Sequence, residues 1–251
     1  MHSGFFFGMN LNVKIVGDPK SEETIVFLHE GLGCIEMWKS YPEDLCNVLG
    51  MKGIVYDRAG YGKSPGSLID RKADYLHLAA EELHELIHHF EINQPIIYGH
   101  SDGGSIGLIF AGKYPKLPKA LITEAAHVFN EAVTIEGVKD ARPLIETGKM
   151  DALKKYHGNR YKEVFYAWND IWLDDSFNEW NISEEIKDIS CPTLIIQGKD
   201  DQYGTLNQVS TILESIGSEA KSFTPANCGH APFKEQKEAV IKTVKKFIHE
   251  H

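Results

Sequence analysis

No run of this chain approaches the ~20 consecutive apolar residues that a membrane-spanning helix needs. The opening stretch, MHSGFFFGMNLNVKIVG, lacks the basic n-region, long apolar h-region and small-residue cleavage site of a secretory signal. Cysteine is scarce. Cys34, Cys46, Cys191 and Cys228 form no CxxC pair and no metal-ligand spacing, so no metal site is expected. Buried or partly buried free thiols in a reducing compartment are the simplest reading, and a cytoplasmic setting follows as the expectation. Positive charge is also short: 26 Lys and Arg stand against 36 Asp and Glu, for a formal net charge of −10. With a pI near 5.6, that balance argues against nucleic acid as a partner. Basic residues gather between Lys234 and Lys246, where they alternate with apolar ones as on a solvated helix face.

What the chain does have is length and ordinary globular composition: 251 residues, 42% hydrophobic and 25% charged. That suffices for one large α/β domain, or for a core carrying a small insertion. After a hairpin-like stretch from Phe5 to Val16, β-rich runs alternate with amphipathic helical ones. Strands are predicted at TIVFLH (24–29), GIVYD (53–57), PIIYGH (95–100), KALITEA (119–125), PTLIIQG (192–198) and EAKSFTP (219–225). Helical periodicity marks 73–90, the run after His100 to about Tyr114, and the C-terminus. This pattern predicts a mostly parallel sheet flanked by helices on both faces. One segment breaks it. Residues 127–188 show helical fragments and three tryptophans but no strand-like run, too long a stretch for a connecting loop. The reading is a helical insertion between two parts of one core, 1–126 and 189–251, packed over the sheet's carboxyl edge.

Chemistry concentrates at the ends of these elements. Ser101 lies in Gly99-His100-Ser101-Asp102-Gly103, between a strand and a helix. A hydroxyl becomes a useful nucleophile only when a base takes its proton, and a tight strand-to-helix turn exposes it for that purpose. Gly99, Gly103 and Gly104 supply the small flanks such a turn requires. By itself G-x-S-x-G is weak evidence, and its placement supplies the specificity. Among 12 histidines, His230 stands out, held in ANCGHAPFKE after the last strand. Asp201, in IIQGKDDQYG, is the candidate to orient that imidazole, with Asp200 as its solvated neighbour. Two backbone N–H groups must hold the developing oxyanion. Asp102, at a helix N-terminus, is expected to give one, and the turn His29-Glu30-Gly31-Leu32-Gly33 the other.

At this point the chain resembles the α/β-hydrolase superfamily, in its serine-nucleophile, esterase-like branch. The resemblance rests on FLHEGLG…MW (Phe27 to Trp38), YDRAGYGKS (Tyr56 to Ser64), GHSDGG, LIIQGKDD and CGHAPF. It implies the α/β-hydrolase fold with a helical cap over 127–188, and it maps the second oxyanion donor onto the Gly31 N–H. The expectation is a cofactor-independent hydrolase of a small carboxylic ester or thioester, with a small molecule as its partner. Carbon–carbon bond hydrolysis on the same three residues is the alternative, and a slow-turnover ligand-binding sensor is the rival from another class.

Glu30 departs from the pattern, because relatives usually carry glycine directly after that histidine. Its carboxylate either faces the pocket, where it disfavours anionic substrates, or turns away into a structural hydrogen bond, the preferred reading. Glu124 is the reserve acid, since some members place theirs after that strand. His127, Phe129, Trp168 and Trp172, with Glu30, are the candidate pocket residues, although tryptophans such as these and Trp180 more often form a cap's own core. His29 and His100 read as core packing beside the turns. Asp57 and Arg58 read as a structural loop ion pair.

Overall fold

In the computed structural model, which describes residues 4–6 and 9–251, a short antiparallel pair opens the chain: β1 (Gly4–Phe6) and β2 (Met9–Leu11). The predicted hairpin-like stretch includes residues 7 and 8, which lie outside the described residues. A seven-stranded sheet follows, built from β3 (Val13–Gly17), β4 (Thr24–Leu28), β5 (Lys52–Tyr56), β6 (Ile96–His100), β7 (Ala120–Glu124), β8 (Thr193–Ile196) and β9 (Ala220–Phe223). Its order is β3-β5-β4-β6-β7-β8-β9, with β3 antiparallel to β5 and every other pairing parallel. Between the strands run α1 (Tyr41–Leu49), α2 (Tyr75–His89) and α3 (Asp102–Lys113), then α4 (Ala132–Glu146), α5 (Lys154–His157) and α6 (Tyr161–Trp172). The chain closes with α7 (Leu206–Ile216), α8 (Pro232–Glu235) and α9 (Lys237–His249). The predicted terminal helix is thus two helices, because Gln236 leaves helical geometry at φ −131°.

Both faces of the sheet are covered, which is why its central strands are apolar at every position rather than alternating. In β4, Val26 and Leu28 join a core with Leu83 of α2 and Ile109 of α3. Ile25 and Phe27 point the other way, toward Leu45 of α1 and Val244 and Phe247 of α9. All four cysteines are free and buried, and burial pushes the Cys34 and Cys46 thiols up to about 12. No described helix is long and apolar enough to cross a membrane. Residues 127–188 add no strand to the sheet. An isolated bridge between Phe129 and Asn181 and the Ile182 N–H donating to the Val128 carbonyl at 2.8 Å tie the two ends of that segment together.

Among the described glycines, those at the corner between β6 and α3 have the closest neighbours. A Cβ on Gly103 would lie 2.0 Å from the Leu28 carbonyl oxygen, and one on Gly99 would lie 2.1 Å from the Gly103 oxygen. The neighbours are backbone and cannot swing aside. Gly103→Ala is therefore expected to cost about 1–3 kcal/mol through forced backbone shifts, read as a lower urea midpoint at unchanged slope. A midpoint matching the wild-type protein would refute the packing argument.

Candidate active site

Ser101 sits at φ 54° and ψ −118°, a conformation that non-glycine residues rarely adopt. Such a residue costs on the order of 1–3 kcal/mol and persists only where its surroundings over-determine it. They do so here. Its N–H donates to the Glu124 carbonyl at 2.8 Å, and its own carbonyl accepts from the Gly104 and Ser105 N–H groups at 2.8 and 3.1 Å. The Oγ is thereby turned out of the corner toward the loop after β9.

That loop delivers His230, whose Nε2 lies 2.9 Å from Ser101 Oγ. Its Nδ1 lies 2.8 and 2.9 Å from the two carboxylate oxygens of Asp201. With Nδ1–H given to the carboxylate, Nε2 is left as the acceptor for the serine hydroxyl. Asp201 also accepts from Gln197 Nε2 at 2.6 Å and from the Tyr203 N–H at 2.8 Å. Burial works to raise its pKa, but the His230 charge, the hydrogen bond to that ring and the Tyr203 N–H together hold it below the usual carboxylate value. Asp200 is exposed. Gly198 lets the two loops meet, since a Cβ there would fall 2.2 Å from the carbonyl oxygens of both Cys228 and Gly229. Glu124 does not reach the imidazole through any hydrogen bond: Tyr98 and the Phe233 N–H occupy its oxygens.

The turn after β4 stands opposite. Gly31 packs so closely that a Cβ would lie 2.5 Å from Trp168 Cδ1 and 3.2 Å from Asp102 Oδ2. Arg58 supports this turn from below. Its N–H donates to His29 Nε2 at 3.1 Å, so Nδ1 carries the proton that His29 gives to the Glu30 carbonyl at 2.8 Å. The Arg58 guanidinium donates to that same carbonyl at 2.9 Å and lies 3.8 Å from Asp102 Oδ2. The expected ion pair with Asp57 is therefore absent. Asp57 instead accepts from the Ile35 and Lys63 N–H groups and from Asn12, because the loop's buried amides need an acceptor. Cys34, Glu36 and Asp57 each bring one ligand atom within 4.8 Å of the others. They suit a metal poorly, with Asp57 already accepting three hydrogen bonds, Glu36 paired to Lys63 and the thiol pushed away from its thiolate form.

A cavity of about 70 Å³ opens above Ser101, lined by Glu30, Leu32, Asp102 and His230 from the core and by Tyr203 from the loop after β8. Residues 127–188 add His127, Thr134, Val138, Trp168 and Trp172. The two placements expected as alternatives for Glu30 are both partly seen. Glu30 lines the cavity, and its Oε2 accepts the Leu32 N–H at 2.7 Å; burial raises its pKa. His127 also does both, facing the cavity while Nε2–H donates to the Tyr203 carbonyl at 2.9 Å.

Phe129 is a correction. It does not line this cavity but packs against the core behind it, held by the bridge to Asn181 and by Gln208 Nε2 donating to its carbonyl. Trp180 stacks on Phe177 within that same core. Trp172 reaches further than lining, because its Nε1–H donates to the Tyr75 hydroxyl, which donates to Asp102. His100 is more than core packing, since its Nε2–H donates to the His230 carbonyl at 2.7 Å. Sequence reasoning missed Leu32, Thr134, Val138 and Tyr203. Tyr203 was within reach, two residues past Asp201. Thr134 and Val138 share one helix face at i, i+4, a signal that any buried helix gives equally.

The chain is similar to known proteins in sequence and in fold. Residues 25–243 match the alpha/beta hydrolase family. A proline iminopeptidase of Saccharolobus solfataricus is 25% identical, over 96% of this chain and 90% of its own. Lipase 3 of a Moraxella species is 28% identical, over 72% of this chain and 64% of its own. In structure, a meta-cleavage product hydrolase from Pseudomonas fluorescens superimposes with a TM-score of 0.78, covering all of this chain and 98% of the other at 19% identity. That last likeness concerns the fold alone. With more than three quarters of its length matched, this chain belongs to the alpha/beta hydrolase family.

Proposed function

We propose that the chain is a serine hydrolase that cleaves a small carboxylic ester or thioester through an acyl-enzyme on Ser101. The observation that carries this reading is the run of hydrogen bonds from Ser101 Oγ to His230 to Asp201, at 2.9 and 2.8 Å. In this reading Ser101 Oγ attacks the substrate carbonyl while His230 Nε2 takes its proton. Asp201 keeps the ring in the tautomer that can accept there and stabilises the imidazolium. The Gly31 and Asp102 N–H groups hold the negative oxygen of the tetrahedral intermediate, the second with the favourable field of a helix N-terminus. Collapse expels the leaving group, which receives the proton from Nε2. Water, deprotonated by the same nitrogen, then releases the acid and restores Ser101. We read residues 127–188 as a cap whose α4 and α6 close the acyl side.

The cavity of about 70 Å³ favours a small acyl group. Its polar surroundings favour one that is uncharged or cationic. Asp102 Oδ1 and His127 Nδ1 are buried without a partner, and His127 has already committed Nε2–H, so both offer lone pairs rather than protons. Glu30 adds a carboxylate on the same wall.

A fluorophosphonate probe is expected to label the wild-type protein and to leave Ser101→Ala unlabelled; labelling that survives the substitution removes the proposal. Asp201→Asn should lower kcat by about 10⁴-fold by selecting the wrong tautomer, and a loss of less than tenfold would show that another acid serves His230. Glu30→Gln should ease the penalty on esters with a carboxylate-bearing acyl chain by about tenfold relative to neutral ones, by removing a like charge. An unchanged ratio of kcat/KM values would place Glu30 outside substrate recognition.

A further inference from the structure

Glu124 closes β7 at the carboxyl edge of the sheet and is wholly buried, yet the proton path above does not use it. A carboxyl group is costly to bury, so its partners deserve a reason. Its backbone carbonyl accepts the Ser101 N–H at 2.8 Å. Its side chain turns the other way: Oε2 accepts the Phe233 N–H at 3.1 Å, three residues beyond His230. Oε1 accepts the Tyr98 hydroxyl, which pairs with the Tyr41 hydroxyl at 2.7 Å. The other support of that loop comes from the strand beside it, where His100, the register partner of Glu124, donates to the His230 carbonyl. Burial drives His100 down to about 3, so it stays a neutral donor.

We propose that Glu124 is a positioning residue of this centre, holding the Ser101 turn through its carbonyl and the His230 turn through its carboxylate, and so setting, together with His100, the distance between nucleophile and base. The inference rests on the serine-hydrolase reading of the site. Two turns on different strands, 129 positions apart between Ser101 and His230, share no direct backbone bond that would fix them to each other. His100 ties them through its ring, and Glu124 adds a main-chain acceptor and a side-chain acceptor on one residue. Phe233 is itself buried against Trp38 and Tyr41, so holding its N–H holds the start of α8 and the loop before it.

The titratable groups facing Glu124 are Tyr98 and His100 on β6, Tyr41 on α1, and Cys228 and His230 on the loop after β9. Burial raises Glu124 to about 7, against the pull of Tyr98, Phe233 and His230. Ionised, it accepts from both donors at once. Protonated, it must give its own proton to Tyr98, whose hydroxyl then turns to donate to Tyr41, while the remaining oxygen keeps Phe233.

The test is the second-order rate of Ser101 labelling by a fluorophosphonate across the neutral pH range, for the wild-type protein, Glu124→Ala and Glu124→Gln. Glu124→Ala leaves the Phe233 N–H unpaired and is expected to slow labelling about tenfold or more. Glu124→Gln keeps an oxygen for that N–H and should restore most of the rate. With the ionisable group gone, its acid limb should lose the inflection that Glu124 contributes near 7. Should the alanine variant fail to fold, the altered limb of Glu124→Gln carries the test, because a merely structural role leaves that limb unchanged. A Glu124→Gln profile that superimposes on the wild type, or an alanine variant that folds and labels at the wild-type rate, overturns the proposal. Absence of labelling in the wild-type protein overturns the serine-hydrolase reading instead.

Discussion

The approach of the Gly103 backbone to the Leu28 carbonyl, closer than any side chain permits, is the contact on which the remaining geometry depends. It seats the N-terminus of α3 directly on the end of β4. Asp102 is thereby brought beside the Gly31 turn, and Ser101 is forced into a positive-φ corner that a looser junction would relax. The sheet pays for this strain through hydrogen bonds on both sides of the serine and through a helix buried on nearly every face. The corner is thus an outcome of packing between two strands and a helix, with local sequence preference opposing it.

Around that corner, environment separates three carboxyl groups by task. Asp201 accepts several donors beside His230 and is held low, so it remains charged and able to orient the ring. Glu124, behind the same histidine, has fewer donors for its burial and rises to about 7. Glu30 rises by burial while one oxygen braces the Leu32 N–H. Differences of this kind between neighbouring acids are how one site assigns distinct roles to one functional group. Arg58 contributes without entering the cavity. It fixes the His29 tautomer and the Glu30 carbonyl together, and so holds the turn that carries Gly31.

Much of this was legible beforehand because it depends on local signals. β-rich runs alternating with amphipathic helical ones announced a sheet covered on both faces, and six predicted strands appear within about two residues of their expected ends. Ser101, Asp201 and His230 could be found because each follows a strand end in a turn marked by glycine. Phe129 could not be sorted from Trp168 and Trp172 in the same way. An aromatic residue in a helical segment reads the same whether it faces a cavity or its own core, and only packing separates the two. The Asp57–Arg58 pair failed for a related reason. Adjacent opposite charges invite pairing on paper, whereas buried backbone amides and the Asp102 carboxylate claimed the two side chains.

By itself, the sequence determined which elements form and which end of each carries a polar turn, because apolar periodicity and glycine placement act over a few residues. Tertiary structure alone decided how those turns face one another: Glu30 both bracing its loop and lining the cavity, Glu124 spanning the serine and histidine turns, Tyr203 holding Asp201. Those choices are made by competition among buried donors and acceptors from distant parts of the chain. No local pattern encodes that competition, since each group's best partner is known only once the strands have brought all of them together.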